Sequence, residues 1–202
     1  SKLVSTDGIY ICENCQSKYS LSTMYEDVEV YIAYIENDET GRRTMDSIIA
    51  GELYKALESA NIKAFYERIS VADIIGDEYE KACDFALKSM KIIVVTGSSK
   101  ENFDKIVRTY GEYFSNKIVI PVYADMSADD LPRELKELQA LNYNSVGATA
   151  SLTKNILDIL GRDNEIDILN FSAERKRKNR IITIVFTICL STILIGVATY
   201  LI

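Results

Sequence analysis

The sequence predicts an α/β protein, a parallel sheet covered by helices on both faces, followed by a single membrane-spanning helix at the C-terminus. Three observations carry this. Between residues 26 and 160 the hydrophobic period switches back and forth between that of a strand and that of a helix. One strand-like run, IIVVT (Ile92–Thr96), is apolar on both faces, as a strand lying under two helical layers must be. Finally, IITIVFTICLSTILIGVATYLI (Ile181–Ile202) runs for 22 residues without a charge, a proline or an amide side chain.

The first element, residues 1–25, contains DGIYICENCQSKYSLS, in which Cys12 and Cys15 have the spacing of one knuckle of a zinc ribbon. A closed zinc site needs a full tetrahedral set of ligands. The chain has no histidine, and Cys83 and Cys189 fall in a core helix and in the apolar C-terminal run. Zinc on Cys12 and Cys15 therefore requires ligands from outside this chain, either a missing upstream pair or a second copy; otherwise the ribbon has decayed. A redox role for this CxxC lacks the βα turn that would activate its thiols.

Next, VEVYIAY (Val28–Tyr34) is short and β-rich, a first strand. RTMDSIIAGELYKALESA then sets Met45, Ile48, Ile49, Leu53, Leu57 and Ala60 along one helical face. IKAFY (Ile62–Tyr66) is a second strand, and Gly76 precedes a helix that turns Tyr79, Ala82, Cys83, Ala86, Leu87 and Met90 inward. IIVVT is the third strand. The following helix carries Phe103, Ile106, Val107, Tyr110 and Phe114, and leads to a fourth strand, IVIPVY (Ile118–Tyr123). DLPRELKELQAL predicts a short helix with Pro132 near its first turn. NSVGA predicts a fifth strand, and SLTKNILDIL a closing helix capped by Ser151.

Residues 161–180 make an acidic-to-basic linker that ends in ERKRKNR, with five positive charges and one negative. As a helix the 181–202 run reaches about 33 Å, enough for a hydrocarbon layer about 30 Å thick. Arg175, Lys176, Arg177, Lys178 and Arg180 precede the span and no basic residue follows it. The positive-inside rule then predicts a single-pass anchor with the preceding domain in the cytoplasm.

The totals narrow the chemistry. At 202 residues and 48% hydrophobic, the chain can bury one sizeable core. Its net charge of −7 includes the basic run, so the remainder is more acidic still, which argues against a nucleic-acid partner. Without histidine there is no Ser-His-Asp, Cys-His or HExxH site, and neither GxxxxGK[ST] nor GxGxxG occurs. Catalysis has to rest on carboxylates, hydroxyls, tyrosines, backbone groups or a thiol. In a parallel sheet the working site lies beyond the carboxyl ends of the strands. The loops there hold Arg42 and Arg43 after the first strand, and Arg68 and Ser70 after the second. These arginines have two uses open to them, clamping phosphates or pairing with the many surrounding acids.

At this point the residues resemble the TIR (Toll/interleukin-1 receptor) domain family, in its bacterial branch. VEVYIAY is similar to the family's first strand, and ENDETGRRTMDS to the loop that opens the first helix. FYERISVADIIGDEYEKACDFALKSMKIIVVTGSS resembles the BB loop (Glu67–Gly76), second helix and central strand. IPVYADMSADDLPRELKELQALN resembles the fourth strand and following helix of members that also carry an N-terminal zinc ribbon. The resemblance spans about residues 26–160 and implies a flavodoxin-like five-stranded parallel sheet. It also implies one of two activities: NAD cleavage or cyclisation on self-assembly, in anti-phage defence and innate immunity, or signal transduction by a non-catalytic scaffold through TIR–TIR contacts.

In enzymatic members a glutamate on the third helix, within Trp-x-x-x-Glu, stabilises the ribosyl oxocarbenium as nicotinamide leaves; NAD is the substrate and no cofactor is required. This sequence has no tryptophan. Matching Phe103 to it puts Val107 at the glutamate position, whereas matching GEY to the Asn-Glu-Trp of ribbon-bearing relatives nominates Glu112. Helical phase sets Glu112 about 180° from the apolar face, unless Gly111 ends or kinks the helix. With NAD as the substrate, Arg42 or Arg43 would hold the pyrophosphate, Tyr34 or Tyr66 would stack on a ring, and Arg68 and Ser70 of the second loop are further candidates for binding it.

Overall fold

The computed structural model describes the backbone of residues 3–6, 9–12, 18–72, 74 and 77–162, and the side chains of residues 20–72, 74 and 78–162. The predicted span and its basic flank lie outside these residues, as do Cys15 and Gly76. Among the described residues no helix is long and apolar enough to cross a membrane. The chain divides into two compact units, residues 1–153 and 154–202.

The first unit opens with a three-stranded antiparallel sheet, β1 (Leu3–Thr6), β2 (Ile9–Cys12) and β3 (Lys18–Ser20), in register Thr6↔Ile9 and Tyr10↔Tyr19. Ser20 then caps a one-turn helix, α1 (Leu21–Met24), its Oγ accepting the Thr23 N–H at 3.2 Å.

The main sheet follows. β4 (Val30–Ala33) is buried at every residue. Thr44 caps α2 (Met45–Ser59), accepting the Ser47 N–H at 3.1 Å. β5 (Ala64–Phe65) is followed at once by α3 (Glu67–Ser70), then α4 (Asp77–Ser89) and the fully buried β6 (Ile92–Gly97). α5 (Lys100–Tyr110) runs into a 3₁₀ turn, Gly111–Asn116, before β7 (Ile118–Tyr123). A short 3₁₀ turn (Ala128–Asp130), α6 (Arg133–Lys136) and β8 (Leu141–Asn142) complete the sheet, and α7 (Ala148–Ile159) crosses the boundary between the two units. In the second unit the Arg162 N–H returns to the Leu157 carbonyl at 2.9 Å past Gly161, whose φ of +69° suits a glycine at a helix end.

All five strands of the main sheet are parallel, in the order β5-β4-β6-β7-β8. Counted within the sheet this is 2-1-3-4-5, the flavodoxin-like arrangement. Alternate residues of each strand serve opposite faces. Tyr31, Ala33, Phe65, Ile93 and Val95 share one core with Ala82, Ala86, Leu87 and Met90 of α4 and with Phe103 and Ile106 of α5. The helix α2 packs against β4, β5 and β6 through Ile49, Leu53 and Leu57. Gly97 is required where β6 ends, because a Cβ there would lie 2.6 Å from the buried Phe103 ring. Pro121 stands where β7 has a neighbour on one side only, since β8 pairs with just Val122 and Tyr123.

Four expectations change. The fifth strand is Leu141–Asn142 rather than NSVGA, which forms the turn before α7. Ser151 sits inside α7, its N–H bonded to the Gly147 carbonyl at 2.9 Å, so it caps nothing. The helix in DLPRELKELQAL is a single turn, Arg133–Lys136, with Pro132 as its cap residue. On α2, Met45 and Ile48 are 48% and 42% exposed. Asp46 and Ser47 take the buried positions instead, because that first turn lies over polar loops that bond them.

Candidate functional site

A cleft of about 320 Å³ opens at the carboxyl ends of β4 and β5, lined by Tyr34, Glu36, Glu67, Arg68, Val71, Ala72, Ile74 and Tyr79. Its size falls at the small end of ligand pockets. It lies one strand aside from the topological switch point between β4 and β6. On the switch-point side Asp46, at the start of α2, accepts the Ser98 N–H at 2.8 Å, the Ser98 hydroxyl, and the Asn102 Nδ2 at 2.8 Å.

Two carboxylates face the cleft, and their partners differ. Glu36 accepts from Arg68 Nη1 at 2.6 Å and Ser47 Oγ at 2.9 Å, with Arg43 Nε at 3.9 Å. Burial pushes the Glu36 carboxyl up, but hydrogen bonds from Ser47, Tyr34 and Arg68, with the Arg68 charge, outweigh it and hold it below the usual range. Glu67 is bonded by phenols: Tyr31 and Tyr110 (3.1 Å) donate to Oε1, and Tyr79 donates to Oε2 at 2.7 Å. Among the described residues no basic side chain forms an ion pair with Glu67. Burial first, and the Glu67 charge second, push the Tyr31 and Tyr110 phenols well above their ordinary range. Burial and the bond to Glu67 do the same for Tyr79. All three therefore stay protonated donors near neutral pH. Burial and the Glu67 charge also push the Cys83 thiol up to about 12, which keeps it unreactive.

Of the residues nominated by sequence, Tyr34 and Arg68 line the cleft, and Arg68 is tied to Glu36. Arg43 is committed elsewhere: Nε donates to Ser47 Oγ at 2.8 Å, and Nη2 to the Ser47 carbonyl at 2.9 Å and Tyr66 Oη at 3.1 Å. Arg42 is exposed at a loop tip, its N–H bonded to Asp38 Oδ1 at 2.9 Å, across a turn that Gly41 makes possible at φ +78°. Tyr66 does not line the cleft. Its ring is buried against Tyr34 and Tyr54, with centroids 5.2 and 5.5 Å away, so no face is left for a ligand. Ser70 spends its hydroxyl on the Tyr66 N–H at 3.0 Å.

Glu112 is not among the residues that line this cleft. α5 ends at Tyr110, and Gly111 leads into a 3₁₀ turn on which Glu112 is exposed. That turn immediately precedes β7 and therefore sits at the amino edge of the sheet, while the cleft is at the carboxyl edge. Cys12 ends β2, with its backbone alone described, and among the described residues no cluster of three or more His, Cys, Asp or Glu could hold a metal ion.

The site residues missed by sequence are Glu36, Glu67, Tyr31, Tyr79 and Tyr110. One signal was available. A tyrosine in an otherwise apolar, fully buried strand must find a partner for its hydroxyl, and acids in the loops beyond the strand ends are the natural acceptors.

Fold and site together define a flavodoxin-like α/β domain with a carboxylate-bearing cleft beside its first two strands. Among solved structures the chain is similar to a metazoan TIR-STING receptor from C. gigas in complex with 2',3'-cGAMP, at 16% identity and a TM-score of 0.46, over 63% of this chain. The match covers 38% of that receptor. No family model matches the chain, and no curated protein does.

Proposed function

We propose that this chain is a TIR-like signalling effector whose cleft takes the nicotinamide-ribose end of NAD, with Glu67 as the catalytic carboxylate in place of Glu112. One observation carries this reading: Glu67 is the cleft carboxylate that no basic side chain neutralises among the described residues, whereas Glu36 is paired with Arg68. The motifs resembling TIR domains and the 2-1-3-4-5 strand order support the family side of it.

The chemistry asks little of the protein. The bond between ribose C1′ and the pyridinium nitrogen breaks, and its electron pair neutralises the departing nicotinamide, so no acid is needed. The cation left at C1′ is stabilised by the Glu67 charge. Water then adds at C1′ and releases its proton to solvent; an internal hydroxyl or ring nitrogen of the same product would give a cyclised molecule instead. Assembly of copies, gathered by the apolar 181–202 run at a membrane with the domain in the cytoplasm, raises local concentration and completes the proposal.

A second reading, a non-catalytic scaffold, is favoured by Ile69. It stands 51% exposed on α3, in the segment that the resemblance associates with TIR–TIR contacts. Incubation of the concentrated full chain with NAD separates the two. Nicotinamide release is expected, reduced more than about 100-fold by Glu67→Gln and unaffected by Glu112→Ala. No release from the folded chain supports the scaffold, and a loss confined to Glu112→Ala restores the sequence assignment.

A further inference from the structure

The inference rests on the functional reading above and concerns what holds Glu67 in place. Glu67 stands on α3, a four-residue helix with no side-chain cap, so local backbone alone does little to fix it. Its two oxygens are treated differently. Oε1 accepts from both Tyr31 and Tyr110, while Oε2 accepts from Tyr79 alone. A carboxylate oxygen takes about two hydrogen bonds, so Oε1 is filled and Oε2 keeps one acceptor position.

The donors differ in setting as well. Tyr31 is fully buried and Tyr110 partly so, and neither lines the cleft; Tyr79 does, at 37% exposure. The Tyr31 and Tyr110 rings lie 6.0 Å apart, and Phe65 stacks on Tyr31 at 5.1 Å with 13° between planes. The donors to Oε1 are thus locked in the core, and the donor to Oε2 borders solvent. Phenols also suit the task electrically. An arginine in their place would orient the carboxylate equally well but cancel the charge that a cation at C1′ needs, whereas a neutral hydroxyl orients it and leaves the charge.

We propose that Tyr31 and Tyr110 are positioning residues that seat Glu67 through Oε1 and so present Oε2 to the ribosyl carbon. The helix α5, where the resemblance expects a carboxylate, here contributes a phenol that reaches the carboxylate of α3.

The test is steady-state nicotinamide release from the full chain carrying Tyr110→Phe, which keeps the ring and its packing and removes only the hydroxyl. kcat is expected to fall about tenfold with KM within about twofold and the melting temperature little changed, and Tyr31→Phe to act in the same direction. Wild-type release with an unchanged kcat in Tyr110→Phe overturns the inference and leaves the functional reading standing. A fall in kcat that comes with a matching rise in KM and a lower melting temperature marks a merely structural role and overturns it too. No release from the wild-type chain overturns both.

Discussion

Asp46 shows how much one buried carboxyl can record. It has no exposed surface, and burial pushes its carboxyl above the usual aspartate range, against the opposing bonds from Ser98 and Asn102. With its folded value raised, the native state holds a proton that the unfolded chain has already released. Its contribution to stability is therefore complete below the ordinary aspartate range and is lost as pH rises through the raised value. Asp46→Asn removes that dependence, so thermal melts should show the variant gaining on wild type as pH climbs from about 4 to about 7. A gap that moves the other way would mean the carboxylate is the favoured form. At this scale the sequence is a poor guide. Arg43 and Arg68 were legible as cations at the strand ends, yet whether they meet a ligand or Glu36 depends on distances of an ångström or two.

The elements were largely legible, for a physical reason: a long apolar face has one period and one place to go. α2, α4 and α5 and the strands β4, β6 and β7 lie where their periodicity put them. The elements that came out shorter than expected, displaced or unforeseen are the short ones: β5 lies within the expected IKAFY, α6 within DLPRELKELQAL, β8 replaces NSVGA and α3 was not expected. β5 and β8 hold two residues each, and α3 and α6 one turn, too little for any period to declare itself. α3 owes its position to neighbours instead. Tyr25 lies edge-on to Phe65 at 5.1 Å, and its phenol donates to the Ser70 carbonyl at 3.0 Å, fastening the stretch after α1 to the helix that carries Glu67. Tyr25→Phe keeps the ring and loses about 1 kcal/mol of hydrogen bonding, so hydrogen exchange over residues 66–72 should quicken about fivefold. Unchanged exchange there would show that ring packing alone sets this helix.

For the whole molecule, periodicity yields a parallel sheet under two layers of helix, but it says nothing about which strand lies beside which. That order came from the family resemblance and is realised in the sheet. The site was the least legible part, because Glu67 gains its meaning only when β4, α4 and α5 bring Tyr31, Tyr79 and Tyr110 to it from across the fold. The C-terminal run yields a whole-chain expectation. The full chain should sediment with vesicles containing anionic lipid and resist carbonate extraction, and a chain ending at Ser172 should remain in the supernatant. Equal behaviour of the two would remove the anchor from the proposal. Should copies crowd together on such a surface, the outermost strands of the parallel sheet matter, since each offers a foreign strand only two residues of ladder to copy. Strand-to-strand joining at β5 or β8 would then add little ladder to whatever other contacts hold such copies together.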